Sequence, residues 1–339
     1  MRLLPAIQED QLADPVRAKL SMVVPILSAT LFSLNRSRVE RFGGYNRITL
    51  WDIAREFREG SGDVGICFEW AVHEALANHN ETIHALASEV LKDFCGIGGG
   101  SDSLLFGPEK EGAIPILESV RDSLSDDARI YVGNRGQPPK LRRYIPQIIR
   151  ASRRNAERDR LPRSISGLWK ADLFLGNASS EKWVGTTVKV NSDQLEGAQG
   201  LRIGIYPKRD AKDTPRRDES LNLVRLPLPY DGEFMELFYK SFFLVRAFLK
   251  ADAQVPRPES LPDAEDRFLT QELQSRRQFL AVDVIEVLRG MSQPGLIRTD
   301  DVTEVEPTAI ISEATGLKEN PPVDPTANEY ISLTPAPLG

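Results

Sequence analysis

The stretch Leu168–Pro207 constrains the fold more than any other part of this chain. It contains three short apolar runs separated by turn-forming residues, which predicts three β-strands. The first run carries a single carboxylate, Asp172, and the second carries a single lysine, Lys189. A charged side chain on a buried strand is costly unless an opposite charge or a ligand faces it. We therefore expect these two side chains to face each other or a shared ligand.

The connections within this stretch indicate how the strands are arranged. The turn-forming sequence 176–180 joins the first two strands in a predicted hairpin. Because side chains alternate along a strand, Thr187 and Lys189 share one face of the second strand, with Asp172 opposite. A short helix beginning at Ser192 is predicted before the third strand. The alternative interpretation of Asp172 and Lys189 is an ordinary cross-strand salt bridge, which contributes little to stability.

A third charged residue lies upstream, in the predicted helix Asp63–Leu76. Glu69 stands among apolar neighbours in this helix. It either joins the acid and lysine of the strands or pairs with an arginine at the helix edge. Together, Asp172, Glu69, Thr187 and the main-chain carbonyl of Val188 offer the hard oxygen ligands that Mg²⁺ (or Mn²⁺) prefers. Lys189 could hold or help deprotonate a water beside a phosphate.

The distribution of charge points to a nucleic-acid partner. The net charge of the chain is −6, but residues 140–217 hold 18 lysines and arginines against eight acids, a net +10, which leaves −16 elsewhere. This asymmetry fits a basic binding face on an acidic body, although a solvated helix face gives the same pattern. The candidate DNA-contacting residues lie in the predicted basic helix Leu141–Arg160 and in the charged loop after Pro207; they are Arg142, Arg143, Arg150, Arg153, Arg154, Lys208 and Arg209.

Other features exclude several classes of protein. The two cysteines, Cys67 and Cys95, lack the spacing of a zinc site or a disulfide framework, which fits a reducing cytoplasm. The N-terminus has no sustained apolar core of a signal peptide. The stretch Met22–Leu34 is too short and too broken by Pro25 to predict a membrane span. The glycine-rich run 96–101 lacks the lysine and hydroxyl of a phosphate-binding loop.

The order of these elements resembles the PD-(D/E)xK superfamily, whose fold is restriction-endonuclease-like. A helix with Glu69 precedes a strand with Asp172, which precedes a strand with Lys189 and then a predicted helix and strand. The resemblance covers Asp63–Leu76 and Leu168–Pro207. It implies a Mg²⁺-dependent DNA endonuclease with Asp172 as metal ligand, Lys189 as catalytic lysine and Glu69 as helix acid.

The chain departs from the family pattern at two positions. Ala171 stands where the pattern has proline, and Thr187 stands where it has a second acid. Thr187 can donate a hydrogen bond or ligate through its hydroxyl, but it brings no charge. The missing carboxylate would have to come from Glu69, or from Asp193 or Glu196 on the predicted following helix. Otherwise the site is weak or inactive.

We therefore expect an α/β fold with a restriction-endonuclease-like mixed central sheet flanked by helices. Residues 1–60 form an N-terminal helical extension, 61–295 form the nuclease-like domain with a helical insertion at 78–167, and 300–339 form a disordered acidic, proline-rich tail. The expected function is that of a cytoplasmic, metal-dependent DNA endonuclease in bacterial restriction or anti-phage defence. It would act without a membrane, as a homodimer or with partner proteins of a defence system. The alternative is an inactive, nuclease-like DNA-binding or scaffold subunit of a defence complex.

Overall fold

The computed structural model describes residues 13–58, 60, 63–131, 137–197, 200–210, 212–229, 234–261 and 263–292. The predicted tail at 300–339 lies outside these ranges. Contacts divide the chain into two units, the first comprising Met1–Arg58 with Leu237–Gly339 and the second comprising Glu59–Glu236. Residues 237–292 thus group with the N-terminal helices, whereas the sequence-based boundary at residue 295 placed them with the sheet.

The helices and strands follow one another in chain order. The helices are α1 (Asp14–Phe32), α2 (Arg36–Phe42), α3 (Leu50–Glu56), α4 (Asp63–Ala77), α5 (Glu81–Cys95), α6 (Ala113–Ser123), α7 (Ile145–Arg153), α8 (Asn155–Arg158), α9 (Arg163–Ser166), α10 (Phe234–Lys250), α11 (Ala264–Ser275) and α12 (Ala281–Met291). The strands are β1 (Asp102–Leu105), β2 (Arg129–Ile130), β3 (Leu173–Asn177), β4 (Lys182–Val188), β5 (Arg202–Pro207), β6 (Arg216–Asp218) and β7 (Leu223–Leu228).

The second unit is built on a mixed sheet of seven strands in the described residues. The strand order is β1-β3-β4-β5-β7-β6, and the short β2 pairs with the beginning of β4. The pairs β1/β3, β3/β4 and β6/β7 are antiparallel, whereas β4/β5 and β5/β7 are parallel. A mixed α/β fold with a central mixed sheet and flanking helices is therefore confirmed. The segment 78–167, expected to be a helical insertion, also supplies β1 and β2 to this sheet.

The three strands predicted from the sequence are present, and they are buried almost throughout. Every residue of β3 and β5 is buried, and so is every residue of β4 except Lys182. Strands covered on both faces read as continuous apolar runs rather than as alternating ones. This is why a lone acid and a lone lysine at the ends of β3 and β4 were conspicuous in the sequence.

The helix predicted at Ser192 is wrong. The structure has a single 3₁₀ turn, Ser192–Gln194, in which the Asn191 side chain accepts a hydrogen bond from the Asp193 N–H. Such a local side-chain bond favours a turn over a longer helix. The chain then passes close to Leu221, since a Cβ at Gly197 would lie 2.7 Å from the Leu221 carbonyl oxygen. Asp193 and Glu196 therefore do not share a helix.

The basic segment 141–160 is broken into three pieces rather than forming one helix. A 3₁₀ turn over Leu141–Tyr144 leads into α7, and α8 follows after Arg154. Pro146 stands in the first turn of α7, where the missing N–H costs no helical hydrogen bond. The apolar side of α7 packs into a core cluster that also contains Phe174 of β3 and Trp183 of β4.

The first unit is helical in its described residues. Helix α1 packs against α11 and α12, and a buried ion pair joins Lys19 of α1 to Asp266 of α11 at 2.5 Å. Among the described helices, α1 alone is long and apolar enough to cross a bilayer, but 83% of its apolar window is buried in the structure. An apolar helix in a protein core passes the same test of length and composition as a membrane span, and burial of this extent is typical of a core helix.

Candidate functional site

Asp172 is held rigidly at the beginning of β3. Its N–H donates to the Thr186 carbonyl at 2.8 Å, and its own carbonyl accepts from the Phe106 N–H at 2.9 Å. The main chain at this point is thus fixed between β4 on one side and the continuation of β1 on the other. The residue is 3% exposed, so its carboxylate must find its partners within the protein.

One oxygen of this carboxylate is fully engaged by the end of β4. Asp172 Oδ2 accepts hydrogen bonds from Thr187 Oγ1 at 3.0 Å, from the Val188 N–H at 2.8 Å and from Lys189 Nζ at 3.1 Å. The three donors are consecutive residues. The predicted juxtaposition of acid, hydroxyl and lysine is therefore present, although Asp172 and Lys189 each lie one residue outside the strands themselves.

Glu69 joins this group from α4, on a different segment of the chain. It is 5% exposed, and its Oε1 lies 3.6 Å from Lys189 Nζ. The interpretation in which Glu69 belongs to the strand cluster thus holds. In the part of the chain that the structure describes, Glu69 pairs with lysines and with no arginine. The site carboxylates both lie within ion-pair distance of Lys189.

A second lysine completes the cluster, and the sequence did not reveal it. Lys110 Nζ lies 3.1 Å from Asp172 Oδ1 and donates to Glu69 Oε2. It comes from the loop between β1 and α6, a polar stretch with no motif spacing to mark it. Only the pairing of β1 with β3 brings this loop to the site, where the Gly107 N–H donates to the Ala171 carbonyl at 3.1 Å.

The charges of the cluster shift the ionisation of its members. Burial by itself would raise the pKa of Asp172, but Lys110, Lys189 and the Val188 N–H together hold that pKa below its ordinary value. Burial also lowers the pKa of Lys110, and the attraction of Asp172 only partly offsets this effect. Asp172 therefore stays ionised at neutral pH, with both lysines as its partners.

The second carboxylate of this cluster belongs to Glu69. Thr187 is buried and directs its hydroxyl to Asp172, so that it orients the carboxylate rather than adding a charge. The other candidates are engaged elsewhere and are largely exposed: Asp193 lies 3.6 Å from Arg209, and Glu196 pairs with Lys170. Within the described residues, neither forms a hydrogen bond or an ion pair with the cluster.

The oxygen ligands of the cluster fit a magnesium ion. Asp172 Oδ1 and the Glu69 carboxylate already converge on one cation, the ammonium of Lys110. In a strand, the N–H and C=O of one residue point to the same side, so the Val188 carbonyl is expected on the side of Asp172, to which its N–H donates. In the described residues no group of three or more His, Cys, Asp or Glu side chains could hold a metal. Mg²⁺ nevertheless often binds through one or two carboxylates while keeping several waters.

The predicted DNA-contacting residues fall into two groups. Arg150, Arg153 and Arg154 are exposed at the end of α7 and just after it, and their side chains form no ion pair with the other described residues. Arg143 is also exposed, on the preceding 3₁₀ turn. These four form the basic stripe of α7, opposite its buried face of Ile145, Ile148 and Ala151.

The other three predicted DNA-contacting residues already have partners or are partly buried. Arg142 lies 3.2 Å from Asp126, and Arg209 donates to Asn191 Oδ1 at 2.6 Å. Lys208 is half-buried and follows β5, where its N–H donates to the Leu228 carbonyl. Exposed ion pairs of this kind are weak and exchange readily, so Arg142 and Arg209 can still meet a phosphate, but at the cost of an existing partner.

Comparison with known proteins adds nothing to this geometry. No protein-family model matches the chain, and neither the search of curated proteins nor that of solved structures gives a match. The family resemblance therefore rests on the sequence pattern alone.

Proposed function

We propose that this chain is a divalent-metal-dependent DNA endonuclease with a restriction-endonuclease-like core, acting in the cytoplasm in restriction or anti-phage defence. The observation that carries the proposal is the convergence of Asp172, Glu69 and Lys189. These residues come from three separate segments, and both carboxylates lie within 3.6 Å of the Lys189 ammonium. The biological setting and its partner, a second copy or another defence protein, follow from the family resemblance.

A purely structural salt bridge explains the cluster poorly. Burying charges costs several kcal/mol per ion, and replacing a buried ion pair by apolar residues is often neutral or stabilising. Here two acids and two lysines are concentrated at one point, and the neighbouring Ala171 and Phe174 are packed in the apolar core. Such concentrations of buried, perturbed charges are typical of functional sites.

The residues of the chain have distinct roles in this proposal. Asp172 Oδ1, Glu69 and the Val188 carbonyl would hold the metal, which when bound would polarise the phosphodiester and stabilise the charge on its leaving oxygen. Thr187 and the Val188 N–H fix the orientation of Asp172 through its other oxygen. The Lys189 side chain is 31% exposed, so its ammonium can donate to a water or to a phosphate oxygen of the substrate.

The basic stripe of α7 supports DNA as the substrate. Its arginines extend from a helix anchored in the same core cluster that contains Ala171 and Phe174, the residues flanking the Asp172–Leu173 pair. Arginines of this kind bind the phosphate backbone without reading sequence. Affinity for DNA is therefore expected to fall steeply as salt increases.

A cleavage assay with matched variants tests the proposal. Purified protein should nick or cut supercoiled plasmid in Mg²⁺ or Mn²⁺ and not in EDTA. Asp172→Asn and Lys189→Met should each reduce the rate by at least a hundredfold, on the order expected when an essential catalytic group is lost. Lys170→Met is the control, because it removes one exposed lysine of the same unit that pairs with Glu196 rather than with the cluster. Cleavage that survives both site variants would exclude this site as its source.

One observation favours a second function, that of a non-cleaving DNA-binding subunit. Thr187 stands where the family pattern has an acid, and Lys110 lies between the two carboxylates, where a metal would have to bind. A gel-shift titration distinguishes the two functions. Retained DNA binding that is lost on substituting Arg150, Arg153 and Arg154 by alanine, with no cleavage in any metal, would support the non-cleaving subunit.

A further inference from the structure

Lys110 occupies the place between the two carboxylates that a bound cation would take. Its ammonium contacts Asp172 through one oxygen and Glu69 through another. These are the two side-chain ligands of the proposed metal site. An ammonium ion and a divalent cation cannot lie at the same point between the same two oxygens, so their binding there is mutually exclusive.

The loop that carries Lys110 is shaped to bring it to this point. The N–H groups of Phe106 and Gly107 donate to the carbonyls of Asp172 and Ala171, which ties the loop to the segment that bears the acid. Gly107 has a φ of +50°, and a Cβ there would lie 2.8 Å from Lys110 Cδ. The aliphatic part of the Lys110 side chain therefore packs against Gly107, and any larger residue at position 107 would have to displace it.

The Lys110 side chain can leave the cluster without disrupting a strand. It is 22% exposed, whereas the carboxylates it contacts are 6% and 3% exposed. It also lies in a loop, in the turn that follows Gly107. When it departs, Lys189 remains as the partner of both acids.

We propose that Lys110 is an internal cation that competes with the divalent metal and so sets the affinity of the site for it. This inference rests on the proposed metal site. Metal entry displaces the ammonium from Asp172 and Glu69, and the ion pairs broken in that step weaken the binding of the metal. Removing the positive charge at position 110 makes the metal bind more tightly, while loss of a positive charge outside the cluster does not.

Direct titration with Mn²⁺ tests this without any cleavage. Isothermal titration calorimetry, or the loss of the free Mn²⁺ paramagnetic resonance signal, gives the dissociation constant of the full chain without DNA. Lys110→Met should lower this constant at least tenfold relative to the wild type, a change of about 1.4 kcal/mol. Lys110→Arg retains the charge and should not tighten binding, and Lys170→Met controls for the loss of one lysine. Equal affinities in Lys110→Met and the wild type would overturn the proposal, as would no Mn²⁺ binding by either.

A second variant guards against loss of folding. Lys110→Gln keeps a hydrogen-bond donor near the carboxylates without the charge, and it should show the same tighter binding. Because a ligand of the native state stabilises it according to its affinity, Mn²⁺ should raise the melting temperature of this variant more than that of the wild type. An equal rise in the two proteins contradicts competition.

The outcomes separate this inference from the proposed function. If Mn²⁺ binds more tightly to Lys110→Met but no variant cleaves DNA, the competition stands and the nuclease function fails. If the wild type cleaves DNA through Asp172 and Lys189 but Lys110→Met binds Mn²⁺ no more tightly, the nuclease stands and the competition fails.

Discussion

Replacing Thr187 by valine tests how Asp172 is held. The substitution keeps the shape of the side chain but removes the hydroxyl that donates to Asp172 Oδ2 at 3.0 Å. A hydrogen bond to a charged group contributes about 1.5–3 kcal/mol. Two other donors, the Val188 N–H and Lys189 Nζ, remain on the same oxygen, which places the loss at the lower end of this range. The added buried methyl group offsets roughly 0.8 kcal/mol, so we expect a net loss of about 1 kcal/mol.

The pH dependence of this loss separates it from a simple packing effect. The folded-state pKa of Asp172 is depressed, so its ionised form adds stability above the ordinary carboxyl pKa of about 3.9, and this contribution disappears as the pH falls through the folded pKa. Thr187→Val weakens the ionised form, so its deficit should be fully present at neutral pH and should shrink only as the pH falls through the depressed folded pKa. Thr187→Ser is the control, because it keeps the hydroxyl and loses only a methyl group.

Urea unfolding at several pH values provides the measurement. Thr187→Ser should lose roughly 1 kcal/mol through the missing methyl group, with no dependence on pH. The cleavage rate should fall about tenfold in Thr187→Val, through misplacement of Asp172, and be largely restored in Thr187→Ser. The reasoning is refuted if Thr187→Val has the wild-type unfolding midpoint at pH 7, or if its deficit grows as the pH falls below about 4.

Two further predictions concern the sheet around the site. Burial, reinforced by a 2.9 Å hydrogen bond to Asp213, raises the pKa of Tyr206 to about 12. The stability that this shift gives is present below the ordinary tyrosine pKa of about 10 and is lost as the pH rises from there to about 12. In urea unfolding between these pH values, Tyr206→Phe should therefore lose less stability than the wild type, and an equally steep loss in the variant would contradict the assignment. Gly176→Ala should destabilise the protein by about 2 kcal/mol or more in urea unfolding, because a Cβ there would lie 2.1 Å from the Lys182 carbonyl oxygen and 2.8 Å from Trp183 Cα. Gly185→Ala is the matched control on β4, where the nearest atom is the Leu168 side-chain Cδ2 at 3.0 Å, and equal losses at the two positions would show that backbone crowding at Gly176 is not the cause.

Three residues of the cluster could be predicted from the local sequence, and the fourth could not. Asp172 and Lys189 could be singled out because each interrupts an apolar run, and a charge in a buried strand needs a partner. Glu69 could be singled out for the same reason on a helix. Lys110 could not, because a lysine in a polar loop is ordinary, and its importance depends on the pairing of β1 with β3.

The structure corrected two predictions of helices, because the local sequence pattern favoured a helix where hydrogen bonds and packing favour a turn or a break. The segment after Asn191 has the composition of a short helix, yet it forms only the turn Ser192–Gln194. The basic segment 141–160 has the periodicity of one helix, yet Pro146 and Arg154 mark where it is divided. In both cases the ends of an element depend on hydrogen bonds and contacts that the local pattern does not contain.

What the sequence by itself determined was the part of the molecule governed by local periodicity and by the cost of burying charge. It defined β3, β4 and β5, the hairpin between the first two, and a buried acid on α4. The tertiary structure alone decided which residues meet. It placed Glu69 within reach of Lys189, and it inserted Lys110 between Glu69 and Asp172. The physical reason is that contacts between segments distant in the chain depend on strand order and helix packing, which no local pattern encodes.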